Sequence, residues 1–233
     1  MTPGIAEGSR WPPTSLLGRL SPPARELLLS AGKAKVFAAR SVLIRHGDIG
    51  DYVLLLRDGA VKVAVDADDG DEILLGVRVA GDLVGEIAAF DGQHRSATVT
   101  ACGEVHAKLI TRVELEDFFE QVPDARDEIA RMIVSRLRWS DRRRIDFLAS
   151  SPPERLSRLL VEIAEAYGRR RDDGSWELGV HLTQAELGSF AGMARRTTEK
   201  QFATLRRAGL VEVGYREITL LDMAELKRLT RTI

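Results

Sequence analysis

The sequence has one cysteine, three tryptophans and no long run of apolar residues. The single Cys102 excludes an internal disulfide, a cysteine-rich zinc site and an all-cysteine iron–sulfur cluster, and it fits a reducing compartment. Apolar stretches such as residues 53–56 are far shorter than the roughly 18 residues that cross a bilayer, and the N-terminus lacks the apolar core of a signal peptide. We therefore expect a cytoplasmic protein with no membrane partner.

Charge of neither sign is in excess. The chain carries 34 basic and 35 acidic side chains, so its net charge of -1 identifies no partner. The hydrophobic fraction of 44% and the aromatic fraction of 6% are ordinary for globular proteins and exclude global disorder. A chain of 233 residues is long enough for one or two domains with a core of their own.

The first half of the chain is rich in short strand signals. Residues 1–14, with many Pro, Gly and Ser, are interpreted as a flexible tail, and Ser21 before two prolines predicts a short helix that ends near Gly32. The predicted strands are residues 41–45, 52–56, 60–65, 72–79 and 98–101, separated by Gly and Asp turn signals. This spacing predicts a small antiparallel sandwich or roll within residues 15–123.

A long helix is predicted over residues 124–150. A capping box of Thr111 and Glu114 first opens a short helix, and no Gly or Pro then interrupts the chain from Asp124 to about Ala149. Such a helix is a rod of about 40 Å, longer than a small domain is wide. One stripe recurs along it: Ile129, Ile133, Leu137, Ser140, Arg144 and Phe147. The stripe favours pairing with a second copy of the chain, and packing on its own domain is the alternative.

A separate helical domain is predicted over residues 151–233. Ser151 and Glu154 form a capping box with proline at its first helical position, which predicts a hinge at residues 149–153. The charged run 169–173 is interpreted as a solvated loop. Thr183 and Glu186 cap a short helix, residues 191–193 form a tight turn with a glycine, and a longer helix runs over residues 194–207. This is the helix-turn-helix pattern, and the β-like stretch 210–221 fits a following wing.

The second helix of this pattern predicts a DNA contact. Thr198, Phe202 and Leu205 are expected to face inward, which leaves a polar face near the N-terminus: Arg195, Arg196, Thr197, Glu199 and Lys200. In DNA-binding proteins that face enters the major groove, while Thr183 and Gln184 at the start of the first helix are expected to contact phosphates. A solvated basic helix is the alternative, and the cap, turn and wing together favour double-stranded DNA.

Residues 81–97 carry an anion-binding pattern. Gly85 permits close backbone approach, and residues 87–90 suffice for one helical turn whose free N–H groups point at an anion. Arg95 adds a bidentate cation and Ser96 a hydroxyl. Glu86 would repel a phosphate, so its presence favours a ribose phosphate whose hydroxyl donates to it. The alternative is a surface salt bridge between Glu86 and Arg95.

These motifs resemble the CRP/FNR family of bacterial transcription regulators, from about Gly32 to Asp222. The segment Gly85-Glu86 with Arg95-Ser96-Ala97 is similar to the phosphate-binding cassette of its cyclic-AMP-responsive members. The resemblance implies that Glu86 holds the ribose hydroxyl and that Arg95 and Ser96 hold the cyclic phosphate, with backbone groups of Gly85 and Ile87. It also places Ser140 and Asp141 at the purine, from both subunits of a dimer.

The fold implied is α+β: an N-terminal antiparallel β-roll, the cyclic-nucleotide-binding domain, then the long dimerisation helix and a C-terminal winged helix-turn-helix domain. The expected function is that of a homodimeric transcription regulator that responds to cyclic AMP, with RNA polymerase as a partner if it is an activator. Cyclic GMP, no ligand at all, or a signalling subunit that does not bind DNA are the alternatives.

Three departures from the family pattern affect specificity. Asp141 stands where the cyclic-AMP receptor has serine, Arg144 stands at a seam position that is usually apolar, and Arg196 replaces the glutamate that accepts from cytosine. The four histidines share no spacing, so we expect no metal, haem or iron–sulfur cluster. Because no P-loop, Gly-x-Ser-x-Gly or His-Glu-x-x-His motif occurs, we expect no enzyme.

Overall fold

The structure is a computed structural model that describes residues 11–67, 72–214 and 217–230. Two compact units emerge from the contacts within the chain. The first contains residues 11–65 and 75–138, and the second contains the remaining described residues, mainly 139–230. No described helix is both long enough and apolar enough to cross a membrane.

The first unit is a β-roll with flanking helices. It begins with α1 (Leu16–Arg19) and α2 (Pro22–Ser30). The strands are β1 (Lys33–Phe37), β2 (Val42–Ile44), β3 (Tyr52–Asp58), β4 (Ala60–Asp66), β5 (Glu72–Val79), β6 (Leu83–Val84), β7 (Thr98–Ala101) and β8 (Val105–Thr111). The helix α3 (Glu86–Asp91) lies between β6 and β7, while α4 (Arg112–Gln121) and α5 (Asp124–Ala149) follow β8.

Two four-stranded sheets form the roll, in the orders β1-β8-β3-β6 and β2-β7-β4-β5. The pairs β1–β8, β3–β8, β3–β6, β2–β7 and β4–β7 are antiparallel, which confirms the predicted architecture. The turn between β3 and β4 shows why the sequence folds this way. Gly59 has a φ of 84°, and its N–H donates to the Asp58 carboxylate at 2.9 Å, so the Asp-Gly pair makes the tight turn that takes the chain from one sheet to the other.

The side chains of β3 alternate between two apolar clusters. Val53 and Leu55 pack with the helices, whereas Leu54 and Leu56 pack between the sheets. Trp11 is 5% exposed within the first cluster, so the prediction of an unpacked tail is wrong for this residue. Residues 1–10 of the predicted tail lie outside the described residues.

The long helix α5 begins at the predicted residue and ends one residue earlier than predicted, at Ala149. The residues of its predicted stripe do not share one environment. Ile129 is fully buried and Ile133 is partly buried in the first cluster, so this end packs on its own domain. Four exposed apolar side chains lie about 100° further round the helix: Val134, Leu137, Ile145 and Leu148. Phe147 is also exposed, but it lies on the side of Ile129. Arg144 is exposed and lies beside the face of the four apolar side chains, while Asp141 lies within it. Among the described residues, no ion pair joins Asp141 to Arg144.

The second unit is a winged helical domain. Its elements are α6 (Pro152–Tyr167), β9 (Arg169–Arg170), β10 (Trp176–Glu177), α7 (Gln184–Phe190), α8 (Arg195–Arg207), β11 (Val211–Val213), β12 (Ile218–Leu220) and α9 (Met223–Leu229). The sheet order is β11-β12-β10-β9, which confirms the wing. The loop prediction is wrong at β9, whose two arginines pair with β10. The capping boxes of α4, α6 and α7 are all present.

The boundary between the units falls inside α5, between Arg138 and Trp139. The rings of Trp139 and Phe190 are 5.2 Å apart, and the Arg143 guanidinium lies 4.8 Å and 4.4 Å from their centroids. The Trp139 indole donates to Glu162 at 3.2 Å. These four residues are called the Trp139 cluster below. The C-terminal end of α5 therefore packs with the second unit.

The predicted hinge at residues 149–153 is bridged by hydrogen bonds. The Arg155 guanidinium donates to the carbonyls of Phe147 at 3.0 Å and Ser150 at 3.3 Å, and Arg158 pairs with Asp146. Both arginines belong to α6, so the end of α5 is tied to the start of the next helix. The bounds of the predicted domains stay a prediction.

Candidate functional site

A cavity in the first unit brings five of the predicted ligand residues together. Its space free of protein atoms, with the open mouth included, is about 440 Å³. The predicted residues that line it are Gly85, Glu86, Ile87, Arg95 and Ser96. Ile44, Val63, Val84 and Val99 supply an apolar wall. Ser140 and Asp141 are exposed on α5 and do not line this cavity, so their purine contact stays a prediction.

Arg95 is a buried cation with no carboxylate partner among the described residues. The side chain is 3% exposed, and its two terminal nitrogens donate to the carbonyls of Gly85 at 2.8 Å and Tyr52 at 2.7 Å. The guanidinium also lies 4.7 Å from the centre of the Tyr52 ring. Carbonyl dipoles and a ring face stabilise the charge without neutralising it. An anion in the cavity would supply the missing charge.

Two glycines fix the position of this guanidinium. A Cβ on Gly50 would lie 2.0 Å from Cζ of Arg95, and a Cβ on Gly85 would lie 2.6 Å from Nη1. Gly85 also has a φ of 81°, which favours glycine, and it serves as the N-cap of α3. The backbone therefore lies close to the Arg95 guanidinium on two sides. The expected one-turn helix after Gly85 is confirmed by α3, which spans Glu86–Asp91.

Glu86 pairs with an arginine of α5 instead of Arg95. It is 6% exposed, and Nη1 of Arg136 donates to its carboxylate at 2.5 Å. Nη2 of Arg136 reaches the Asp82 carboxylate at 3.3 Å and the Leu83 carbonyl at 3.1 Å. The alternative of a surface bridge between Glu86 and Arg95 is therefore wrong. The Glu86 carboxylate keeps an oxygen that can accept from a ligand hydroxyl.

Sequence reasoning missed three residues of this site. Arg136 and Arg78 both line the cavity, and Gly50 lies against Arg95. Arg136 lies one helical turn before Ser140, which was predicted to contact the ligand, so the helical spacing of α5 could have identified Arg136. Arg78 lies in a strand and Gly50 in a loop, and neither position carries a local motif. Among the described residues, no group of three or more His, Cys, Asp or Glu is arranged to hold a metal.

The second unit presents the predicted DNA-binding face. Thr198, Phe202 and Leu205 are buried, which confirms the inward face of α8. Arg195, Arg196, Glu199 and Lys200 are exposed and Thr197 is partly exposed. Nε of Arg195, which is 85% exposed, donates to Glu199 at 3.1 Å. Thr183 caps α7 through its hydroxyl, and Gln184 follows in the first turn.

Comparison with known proteins defines the class. Residues 34–122 match the model of the cyclic nucleotide-binding domain, and residues 154–229 match that of the Crp-like helix-turn-helix domain. The chain is therefore a DNA-binding transcription regulator that carries a cyclic nucleotide-binding domain. It belongs to the CRP/FNR family.

Relatives and solved structures agree with this assignment. A CRP-like cAMP-activated global transcriptional regulator of Mycobacterium tuberculosis is 26% identical over 195 residues, covering 84% of this chain and 87% of that protein. The transcriptional activator protein anr of Pseudomonas aeruginosa is 24% identical over 184 residues, covering 79% and 75%. A CRP/FNR family regulator of Thermus thermophilus has a similar fold, with a TM-score of 0.72 at 24% identity, covering 86% of this chain and 99% of that one.

Proposed function

We propose that this regulator is a homodimer in which a cyclic purine nucleotide, bound in the cavity of each β-roll, controls DNA binding by α8. The observation that supports a nucleotide most directly is the buried Arg95, which donates only to carbonyl groups among the described residues. A cyclic phosphate at Arg95 and Ser96 would neutralise that charge. The ribose hydroxyl would then donate to Glu86.

Cyclic AMP is the first candidate that the relatives suggest. Regulators of Mycobacterium tuberculosis and Pseudomonas aeruginosa are named as cAMP-activated, and the regulator anr shows that the similarity extends to proteins whose names give no nucleotide. Cyclic GMP, which has the same ribose and phosphate, is the alternative. Glu86, Arg95 and Ser96 would contact the ribose and the phosphate, which both nucleotides share.

The exposed apolar face of α5 supports dimerisation. Val134, Leu137, Ile145 and Leu148 lie along one side of the helix and are all exposed in the single chain. A heptad separates Val134 from Asp141 and Asp141 from Leu148, which is the spacing of a seam between two helices. A second copy would bury this face and bring the Asp141 of each protomer close to the dimer axis.

Coupling between nucleotide and DNA requires two states with different affinities. The nucleotide shifts their equilibrium only by its own difference in affinity for them. A typical coupling of ~1–3 kcal/mol would change DNA affinity by roughly 5- to 150-fold. In the favoured state, the two α8 helices of the dimer would enter successive major grooves.

The proposal is tested by selecting bound sequences from random double-stranded DNA with no nucleotide, with cyclic AMP and with cyclic GMP. We expect a palindromic motif that is enriched more strongly with one of the nucleotides. Arg95→Leu should remove that enrichment and calorimetric nucleotide binding while leaving the thermal unfolding transition cooperative. Suppose that the natural protein and Arg95→Leu enrich the motif equally with no nucleotide, with cyclic AMP and with cyclic GMP. That result would contradict control of DNA binding by a nucleotide.

A further inference from the structure

Two opposite charges lie along the exposed side of α5 and have no partner in their own chain. Asp141 and Arg144 are both exposed, and neither makes a hydrogen bond, ion pair or ring contact within the part of the chain that the structure describes. Two neighbouring charges differ in this respect. Arg143 lies against the rings of the Trp139 cluster, and Asp146 pairs with an arginine of α6. Asp141 and Arg144 are therefore available to a second molecule.

The two charges occupy the core positions of one heptad repeat. Val134, Asp141 and Leu148 are spaced by seven residues, as position a of a heptad requires. Leu137 and Arg144 are also seven residues apart, and each lies three residues after an a position, as position d requires. All five side chains are exposed in the single chain. A seam between two such helices would have apolar layers on both sides of one charged layer.

The charged layer is complementary to itself in a parallel pair of helices. Each core side chain inserts into a hole formed by four residues of the facing helix, and the hole for an a side chain includes the d residue that follows. The Asp141 carboxylate would thus lie beside the guanidinium of Arg144 of the partner subunit. In a two-fold dimer the same contact forms twice. The two carboxylates and two guanidinium groups of the layer then neutralise each other.

We propose that Asp141 of each protomer pairs with Arg144 of the partner subunit, and that these two ion pairs set the register of the dimer. The inference rests on the proposed function and specifies the contacts of its dimer. A charge buried without an opposite charge strongly destabilises an interface, so the pairs favour the aligned register over shifted ones. A shift of one heptad would bury Asp141 of one protomer against Val134 of the other, with no arginine beside it.

Two charge reversals and their mixture test the pairing. Asp141→Arg places four arginines in the layer, and Arg144→Asp places four carboxylates there. Each homodimer should therefore weaken at least about a hundredfold. A mixture of the two chains brings opposite charges together again, so a heterodimer should form with an affinity within about tenfold of that of the natural dimer. Native mass spectrometry distinguishes the chains by mass, and sedimentation equilibrium gives the dissociation constants.

A third variant separates pairing across the dimer from pairing within one chain. The combined exchange of Asp141→Arg with Arg144→Asp keeps opposite charges in both arrangements, so this chain should dimerise like the natural one. The mixture of single variants keeps them only across the dimer. Recovery by the combined exchange without a heterodimer in the mixture would show that the charges pair inside each chain, and would overturn the proposal.

Arg142→Asp is the matched control for net charge. Arg142 is exposed and lies off the a and d positions, so its reversal should leave the dimer unchanged. Single reversals in the seam that dimerise as tightly as the natural chain, or no more weakly than Arg142→Asp, would overturn the pairs and leave the proposed dimer standing. A natural chain that stays monomeric with and without cyclic nucleotide would remove the dimer and the pairs together. A cooperative unfolding transition checks the fold of each variant.

Discussion

At the scale of single residues, the candidate ligand cavity depends on two glycines, which have no side chain. Gly50 and Gly85 leave the space that the Arg95 guanidinium occupies. The hydrogen bonds of this buried charge run to main-chain carbonyls, which cannot move with the guanidinium if it shifts. The affinity for an anion should therefore be sensitive to small changes beside Arg95.

Gly50→Ala should weaken nucleotide binding by about 1.5–3 kcal/mol, the range for a hydrogen bond to a charged group. The added Cβ would lie 2.0 Å from Cζ of Arg95, so the guanidinium has to move. Calorimetric titration measures the loss, and circular dichroism checks the fold. Gly214→Ala is the matched control, since its nearest neighbour would be 3.7 Å away. Unchanged affinity in Gly50→Ala would show that the position of Arg95 does not limit binding.

Arg195→Ala should reduce affinity for the selected DNA motif by ~1–3 kcal/mol if Arg195 makes a bidentate contact with guanine. The exposed side chain is held by Glu199 at 3.1 Å, on the face of α8 that is expected to enter the groove. Competition binding with single-base variants of the motif is the measurement. Arg206→Ala, which removes an exposed charge from the last turn of α8, is the control. The same loss on every DNA sequence would identify a phosphate contact instead.

At the scale of elements, the end of α5 is held by the Trp139 cluster. Burial lowers the pKa of Arg143 to about 10 and raises the pKa of Glu162 above its usual value of 4.5. The opposite charges of the two side chains offset part of each shift. The cluster therefore holds two opposite charges, those of Arg143 and Glu162, in partly desolvated positions beside two aromatic rings.

Glu162→Gln should become more stable relative to the natural protein as pH rises from 4 towards neutrality. A carboxyl with a raised folded-state pKa stabilises the fold below its unfolded pKa, and that contribution is lost as pH rises through the folded value. Glutamine has no such titration, and Arg143 does not titrate in this window because its pKa is about 10. Urea unfolding at several pH values measures the difference. Glu165→Gln, at an exposed position of the same helix, is the control, and parallel curves for Glu162→Gln and the natural protein would contradict the prediction.

At the scale of the whole molecule, the proposed dimer would depend on side chains that are exposed in the single chain. Leu137→Glu should weaken the dimer by an amount on the order of 2 kcal/mol or more, since the seam loses the burial of this leucine in both copies. The fold should persist, because Leu137 is 60% exposed in the single chain. Sedimentation equilibrium measures the shift. Ser135→Glu, on another side of α5, should leave the dimer intact, and a dimer unaffected by Leu137→Glu would place the seam elsewhere.

Much of the architecture could be predicted because its signals are local. The capping boxes at Thr111, Ser151 and Thr183 predicted three helix starts, and the Asp58-Gly59 pair predicted the turn between β3 and β4. The cassette from Gly85 to Ser96 is likewise one continuous segment. The partner of Glu86 could not be found in this way, because Arg136 lies fifty residues further along the chain. Arg78 and Gly50 acquire their roles only when the strands of the roll assemble around the cavity.

The packing of residues 139–149 with the second unit has a practical consequence for protein engineering. Fusing this winged domain to another sensor at the Ser150 junction would strip it of Trp139 and Arg143, and leave Phe190 without those neighbours. A graft that begins upstream of Trp139 would carry its own supporting helix with it. The segment that has to be transferred with the winged domain is thus larger than its helix-turn-helix.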